Sequence, residues 1–340
     1  MLRSAIRRAR PCLASWRMVP ARSFSAKVVE LRYEDLATGR DLAPEIEEAY
    51  GKEGLGILTV SGVPTFAEKR QALLPLAHQL AHLPAEQLET LEDGEHLYQF
   101  GWSHGKEKFE GKPDLLKGSY YANPQYDRPT DDPELIEKHF AYCSPNVWPA
   151  PGVLDGLEPS FKALGRLMVS VGELVAKNCD KLALGTVPTY QPADKLEGII
   201  SNSRACKARL LHYFAQEDAE VTGDWCGWHT DHGSLTALTS AMFTDSEGTV
   251  VDAPPQSDAG LYIRARDGSE VKAVIPPTHI AFQIGESSQI HTGGALEATP
   301  HYVRGPSTLS RNTFAVFMQP EWSEEMTVPK DTTVEVVGLK

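Results

Sequence analysis

Hydrophobic residues recur at helical spacing in two long segments. In residues 66–92 the leucines keep this spacing, with a break at Pro84 that divides the segment into two helices. Residues 159–184 place their apolar side chains on one face, which predicts a long amphipathic helix lying across a sheet. A shorter, acidic helix is predicted for residues 42–50.

Short apolar runs of β type dominate the second half of the chain. Two strands are expected early, at 28–31 and 56–60, and residues 93–158 form a loop-rich stretch with many glycines and prolines. The later runs cover 206–214, 235–243, 260–265, 270–275, 279–284, 288–291, 299–303 and 312–319. Closely spaced short strands indicate a sandwich or barrel, so we expect an α/β N-terminal half packed on a C-terminal β core.

Candidate metal chemistry lies in the stretch from Trp228 to Thr236. If this stretch is a strand, His229 and Asp231 are two residues apart and project from the same face, whereas His232 points away from it. One imidazole and one carboxylate on one face supply two of the three ligands of a facial metal triad. The third ligand has to come from a distant strand.

Two later histidines compete to complete the triad, His291 and His301, and their spacing from Asp231 leaves both possible. Arg311 and Thr313 lie on one face of the strand that follows His301. An arginine and a hydroxyl inside a barrel bind an anion, most readily a carboxylate. If that carboxylate belongs to a co-substrate that also chelates the metal, His301 is the better ligand.

Other histidines have simpler interpretations. His78 and His82 are one helical turn apart, a spacing that can bind metal, but no carboxylate forms an HExxH-like arrangement with them. We therefore expect them at the surface or at the edge of the core. His232 and His279 are interpreted as structural.

Several motifs follow one another in a fixed order after residue 206. They are Leu211–Phe214, Trp228–Thr236, Gly260–Ile263, Asp267-Gly268, Ile284–Ile290, Pro300–Val303 and Arg311–Thr313. This ordered set resembles the isopenicillin N synthase-like family of Fe(II)/2-oxoglutarate-dependent oxygenases. Residues 45–64 also look like the family's first helix and strand, whereas residues 93–158 match it poorly.

The resemblance implies a mainly β protein with flanking helices, built on a double-stranded β-helix (jelly roll). The iron ligands that it implies are His229, Asp231 and His301. The 2-oxoglutarate contacts that it implies are Arg311, Thr313 and Tyr213. The implied reaction uses O2, with ascorbate as an accompanying reductant, and couples decarboxylation of 2-oxoglutarate to hydroxylation or desaturation of a small molecule.

The chain departs from the family pattern at three places. The family's Asn-Tyr-Tyr-Pro is here His212-Tyr213-Phe214-Ala215, which puts the role of Tyr213 in doubt. The usual His-Arg-Val is His301-Tyr302-Val303. Residues 244–259 resemble an insertion and are a candidate lid.

The first 27 residues differ in composition from the rest, with seven basic residues, frequent serines and no acidic residue. This is typical of an organellar transit peptide, so we expect the mitochondrial matrix, with the plastid second; a disordered basic tail is the alternative. Without those seven charges the formal net charge falls from −13 to −20. The remaining chain is acidic enough to repel phosphate backbones, which argues against a nucleic-acid partner. No apolar run approaches the roughly 20 residues needed for a membrane span.

The expected organisation has four parts. They are a transit peptide (1–27), an N-terminal α/β region with a long buttressing helix (28–200), the jelly-roll core (201–322) and a C-terminal tail (323–340). Lysines and aromatic residues crowd the stretch 93–121, which hints at an anionic or aromatic small-molecule substrate.

Two other functions remain open on the sequence alone. One is a jelly-roll metalloprotein with hydrolase or isomerase chemistry, and the other is a non-catalytic binding module on a degenerate barrel. Arg311 and Thr313 argue against the first, because such chemistry does not require a dicarboxylate clamp. The complete set of metal ligands argues against the second.

Overall fold

The computed structural model describes residues 27–106, 108–109, 112–215, 224–252, 259–304 and 308–334. Three predicted features lie wholly or partly outside these ranges. They are the presequence up to residue 26, residues 253–258 of the insertion and residues 335–340 of the tail.

The first half of the described chain contains both helices and strands, and strands dominate the second half. The helices are α1 (Tyr33–Ala37), α2 (Ala43–Tyr50), α3 (Phe66–Ala81), α4 (Ala85–Glu89), α5 (Pro133–Lys138), α6 (Phe140–Cys143), α7 (Leu157–Thr186), α8 (Lys195–Asn202) and α9 (Glu286–His291). The strands are β1 (Val29–Arg32), β2 (Ile57–Ser61), β3 (Gly101–His104), β4 (Lys108–Phe109), β5 (Lys112–Pro113), β6 (Lys117–Ala122), β7 (Lys207–Tyr213), β8 (Asp224–His229), β9 (Leu235–Thr239), β10 (Met242–Thr244), β11 (Val250–Val251), β12 (Gly260–Arg264), β13 (Glu270–Ala273), β14 (Ile280–Ile284), β15 (His301–Arg304) and β16 (Ser310–Met318).

Two antiparallel sheets form the β core. The smaller sheet has the order β13-β12-β15-β8, and the centre of the larger one has the order β14-β9-β16-β7. Successive strands β7, β8 and β9, and later β14, β15 and β16, alternate between the two sheets. The core is therefore a double-stranded β-helix with an α/β N-terminal region packed on it, as the sequence predicts.

The N-terminal region adds strands to both edges of the larger sheet. At one edge β2 pairs with β14, and β1 pairs in parallel with β2. At the other edge β6 pairs with β7, and β3 pairs with β6. The strands β3 and β6 lie within residues 93–158, so the interpretation of that stretch as loop-rich missed them. The pairing of β6 with the core strand β7 is non-local, and the glycines and prolines around both strands conceal the strand pattern.

Helix α7 supports the larger sheet, which confirms the predicted long amphipathic helix. The helix comes very close to its neighbours at two glycines. A Cβ at Gly165 would lie 2.4 Å from Pro124 Cβ, and one at Gly172 would lie 2.4 Å from Met318 Sδ. Although α7 has 30 residues, neither it nor any other helix in the described ranges is long and apolar enough to cross a membrane.

Two sequence-based expectations about local structure are wrong. The run 288–291 is part of helix α9, not a strand. Its residues bond back along the chain, as when Gln289 N–H donates to Gly285 O at 3.2 Å. The stretch 228–236 is not one strand either, because β8 ends at His229 and β9 begins at Leu235. Four successive buried positions, 286–289, explain the first error: residues buried on all sides show no periodicity that separates a helix from a strand.

Candidate metal centre and co-substrate pocket

Strand pairing brings two distant histidines together. In the smaller sheet β8 pairs with β15, and His229 lies directly opposite His301 in the register. Side chains at opposed positions of antiparallel strands are neighbours. The two imidazole rings are accordingly 4.3 Å apart between centroids, with 57° between their planes.

The side chain of Asp231 completes this group. Its Oδ1 atom lies 3.9 Å from the Nε2 atom of His229 and 3.9 Å from that of His301. The Nδ1 atom of His229 lies 2.8 Å from Gly227 O, and that of His301 lies 3.2 Å from Thr299 O. A carbonyl oxygen only accepts, so each Nδ1 carries the proton and donates. Each Nε2 therefore keeps its lone pair for a metal, an orientation typical of histidine ligands.

The remaining features of this group fit a divalent cation. Asp231 Oδ2 is buried and has no hydrogen-bond partner among the described residues, an arrangement that a bound cation would stabilise. Burial lowers the pKa of His301, although Asp231 acts in the opposite direction, and this favours the neutral ligand form. The His229 side chain is 40% exposed, against 9% for Asp231, so the centre is open on one side.

The five residues 230–234 place Asp231, and they are held by the first turn of α9. Glu286 N–H donates to Asp231 O at 2.8 Å. The buried Glu286 carboxylate accepts a hydrogen bond from the Thr230 hydroxyl and another from His232 Nδ1, the latter at 2.8 Å. Asp231 therefore owes its position to this turn, and not to the pleat of a strand as the sequence suggested. His232 has the structural role expected of it.

Sequence reasoning missed the supporting residues on α9. The Ser287 hydroxyl donates to His232 O at 2.5 Å, and the Ser288 hydroxyl donates to Ser234 O at 2.8 Å. A Cβ at Gly285 would lie 1.9 Å from Gly233 O, so a side chain there would block the approach. The available signal was the polar run 286–289 directly after the apolar strand β14.

The three metal-ligand candidates open into a cavity of about 500 Å³ between the two sheets. Tyr213, Arg311 and Thr313 line the same cavity. Arg311 lies opposite Tyr213 in the pairing of β16 with β7, and its guanidinium is 4.3 Å from the centroid of the tyrosine ring. The structure thus brings all six predicted site residues to one cavity.

Solved structures share this architecture. A 2OG-Fe(II) oxygenase family protein from Caulobacter crescentus superposes with a TM-score of 0.69 at 19% identity, over 91% of this chain and 92% of that one. A full-length Neurospora crassa protein in complex with alpha-KG gives 0.68 at 18% identity, over 92% and 91%. JOX2 in complex with 2OG, Fe and JA gives 0.63 at 16% identity, over 91% and 79%. At these identities the similarity establishes the fold.

Sequence relatives point to the same class, although no protein-family model matches the chain. Gibberellin 2-beta-dioxygenase 2 of Arabidopsis thaliana is 27% identical over 177 residues, which are 51% of this chain but only 44% of that protein. Scopoletin 8-hydroxylase of Arabidopsis thaliana is 24% identical over 303 residues, 88% of this chain and 71% of that protein. The chain is thus similar in sequence to a named dioxygenase and a named hydroxylase, and similar in fold to 2OG-Fe(II) oxygenases.

The donor atoms of this centre fit the metal of the 2OG-Fe(II) oxygenases that the chain resembles. Two neutral imidazoles and one carboxylate leave three positions open on a six-coordinate ion, the arrangement of non-haem Fe(II) oxygenases. A closed structural zinc site would instead offer four protein ligands.

The cavity also fits an anionic co-substrate. Among the described residues that line it, Asp231 is the one acidic side chain, and Lys117, Arg209, Lys272 and Arg311 are basic. Arg311 is 3% exposed, and its burial lowers the pKa of the guanidinium, while the neighbouring Tyr213 raises it. A carboxylate of 2-oxoglutarate would stabilise this buried charge bidentately.

His291, the competing ligand, lies elsewhere in the structure. It is a buried residue at the end of α9, its Nδ1 lies 3.3 Å from Thr327 O, and burial lowers its pKa to about 4. Within the described residues it belongs to neither group of side chains close enough to share a metal ion. The structure therefore places His301, not His291, beside Asp231.

The two histidines can be separated by substitution. We predict that His301→Ala weakens Fe(II) binding by more than ~100-fold, because it removes a direct donor and even outer-shell partners contribute roughly 10- to 100-fold. His291→Ala should leave the iron affinity within a few-fold of that of the unsubstituted chain. Anaerobic Fe(II) titration measures both, and the opposite ranking would mean that the third ligand is misassigned.

Proposed function

We propose that this chain is an Fe(II)- and 2-oxoglutarate-dependent dioxygenase that hydroxylates or desaturates a small organic molecule. In the hydroxylation, a substrate C–H bond, O2 and 2-oxoglutarate become a C–OH group, succinate and CO2. The observation that supports it is the presence in one cavity of a His-Asp-His donor set and a buried arginine on a facing strand.

Each group of residues has a distinct part in this reaction. His229, Asp231 and His301 would hold the metal, while Arg311 and Thr313 would hold the far carboxylate of 2-oxoglutarate, with Tyr213 beside the guanidinium. When bound, iron, 2-oxoglutarate and O2 supply the oxidising chemistry. The chain itself contributes positioning and apolar walls that exclude water. These walls include Leu211, Leu238, Phe243, Leu261, Ile275, Val303 and Phe317.

We further propose that the primary substrate carries an anionic group, such as a carboxylate. The support is the excess of basic side chains in the cavity and the position of Arg209. Arg209 lies on the same face of β7 as Tyr213, four residue pairs further along the β7–β16 register from the Arg311–Tyr213 pair. Its guanidinium donates to the Ser119 hydroxyl at 2.8 Å and lies 5.0 Å from the ring centroid of Tyr121. A second cation so oriented could meet a substrate anion while Arg311 holds the co-substrate.

We also propose that residues 1–27 direct the protein to mitochondria, with plastids as the second destination. The support is compositional: seven basic residues and no acidic one.

The proposed co-substrate clamp, in which Arg311 and Thr313 hold the far carboxylate of 2-oxoglutarate, can be tested spectroscopically. We predict that the anaerobic protein with Fe(II) and 2-oxoglutarate develops the weak visible charge-transfer band of a chelate. Arg311→Met should raise the 2-oxoglutarate concentration needed for the half-maximal band by ~100-fold or more, because two charge-assisted hydrogen bonds are lost. Arg209→Met is the matched control and should leave the band unchanged. A featureless spectrum with iron shown to be bound would falsify the clamp.

The substrate class can be tested by a panel of aromatic and aliphatic carboxylic acids, each paired with its methyl ester. We predict that acids stimulate succinate formation and that their esters do not. For any acid that is turned over, Arg209→Met should raise KM by ~10-fold or more, since a hydrogen bond between charged groups contributes about 1.5–3 kcal/mol. Arg128→Met is the control, because Arg128 is an exposed arginine outside the cavity. Equal turnover of acids and esters would contradict the proposal.

The targeting proposal is tested with residues 1–27 fused to a fluorescent protein. We predict import into mitochondria and loss of import when the seven basic residues are changed to glutamine. A cytosolic distribution of the unchanged fusion would refute it.

A further inference from the structure

A second group of three imidazoles lies on the side of the larger sheet that faces α3. His78 and His82 are one turn apart on α3, and His212 is on β7. One ring nitrogen from each can be chosen so that all three lie within 4.8 Å of one another. The rings of His78 and His82 stack at 4.0 Å, and His212 meets both edge-on at 5.3 and 5.4 Å.

The hydrogen bonds of this cluster orient ring nitrogens toward one another. His82 Nδ1 donates to His78 O at 2.7 Å, and His212 Nδ1 donates to Asn312 Oδ1, also at 2.7 Å. The Nε2 atoms of both rings are then deprotonated and carry lone pairs. This is the pattern by which an outer partner fixes the tautomer of a metal-binding histidine.

Two buried nitrogens of the cluster have no hydrogen-bond partner in the part of the chain that the structure describes. They are Nε2 of His212, a residue 1% exposed, and Nδ1 of His78, a residue 8% exposed. Burial lowers the pKa of His212 to about 4, and it also lowers that of His78, so both rings favour the neutral form that binds metals. A buried polar atom without a partner is unfavourable by about 1–3 kcal/mol, and a cation bound to these nitrogens would remove that penalty.

We propose that His78, His82 and His212 form a second metal site, distinct from the iron centre, that binds Zn²⁺. Three neutral imidazoles and no carboxylate match the three-histidine zinc sites in which a fourth position stays open to water. The iron centre differs by its carboxylate, which suits the harder Fe(II) ion. His82 is exposed and provides the route for the ion from solvent.

The neighbourhood of the cluster indicates what the ion does. His212 and Asn312 alternate along their strands with Tyr213 and Arg311, so the zinc site and the co-substrate clamp lie on opposite faces of the same strand pair. The hairpin β10–β11 covers His78, because a Cβ at Gly248 would lie 2.5 Å from His78 Cδ2. Bound zinc therefore ties α3 to β7 behind the clamp and stabilises the folded chain, independently of the proposed oxygenase activity.

Metal stoichiometry tests the site on the full chain. We predict that the chain freed of metal with a chelator binds one Zn²⁺ when Asp231→Ala and His301→Ala have removed the iron centre. Adding His82→Ala should reduce the zinc content to none, whereas His96→Ala should leave it at one. His82 is exposed, so its loss should leave the fold intact, which circular dichroism checks. His96 is a suitable control because it is a histidine paired with Asp93 outside the cluster.

The unsubstituted chain provides a second measurement that does not depend on the double variant. Loaded with Co²⁺, it should show the visible bands of four-coordinate cobalt, and His82→Ala should remove those bands and lower the metal content by one ion per chain. Zn²⁺ should raise the Tm of the unsubstituted chain and of His96→Ala but not that of His82→Ala. Equal metal content in the folded His82→Ala and unsubstituted chains would overturn the proposal, as would a folded double variant without zinc.

Discussion

The buried carboxylate of Glu286 is the contact on which the metal centre depends. The carboxylate oxygens accept hydrogen bonds from the Thr230 hydroxyl and the His232 imidazole, and the backbone N–H of Glu286 donates to Asp231 O. These bonds hold the link between β8 and β9 against the first turn of α9. Because β8 ends at His229, this link, and not the alternation of a strand, points the Asp231 carboxylate at the two histidines.

The centre therefore has two separate structural supports. Antiparallel pairing of β8 with β15 supplies the imidazoles of His229 and His301, and α9 supplies the carboxylate through the turn. Hydrogen bonds to a buried charge contribute about 1.5–3 kcal/mol each, and a buried carboxylate left without them is destabilising. Glu286 is 2% exposed, so its bonds form only when both sheets and α9 have packed. The donor set is thus a product of the complete fold.

Local sequence patterns predicted the helices and strands that depend on neighbouring residues. They failed for elements and contacts that depend on distant segments of the chain. The long helix α7 and most strands of the β core follow from periodicity. The β3–β6 pair and helix α9 do not, because the first is stabilised by non-local pairing and the second is buried on all sides. The choice between His291 and His301 needed the β8–β15 register. The cluster of His78, His82 and His212 was missed for the same reason. Sequence spacing shows that His78 and His82 are neighbours on α3, but it does not show that His212 on β7 lies beside them.

The strands β7 and β16 contribute to two sites, because their side chains point alternately to the two faces of the sheet. Tyr213 and Arg311 line the co-substrate cavity, while His212 and Asn312 face helix α3 and its histidines. A slip of one residue in the register would exchange the two sets. It would put the Arg311 guanidinium against helix α3 and the His212 imidazole into the cavity. Both faces are buried, so a slip in register would be unfavourable on each of them. The position of Arg311 is therefore fixed both by the packing against α3 and by the cavity on the other face.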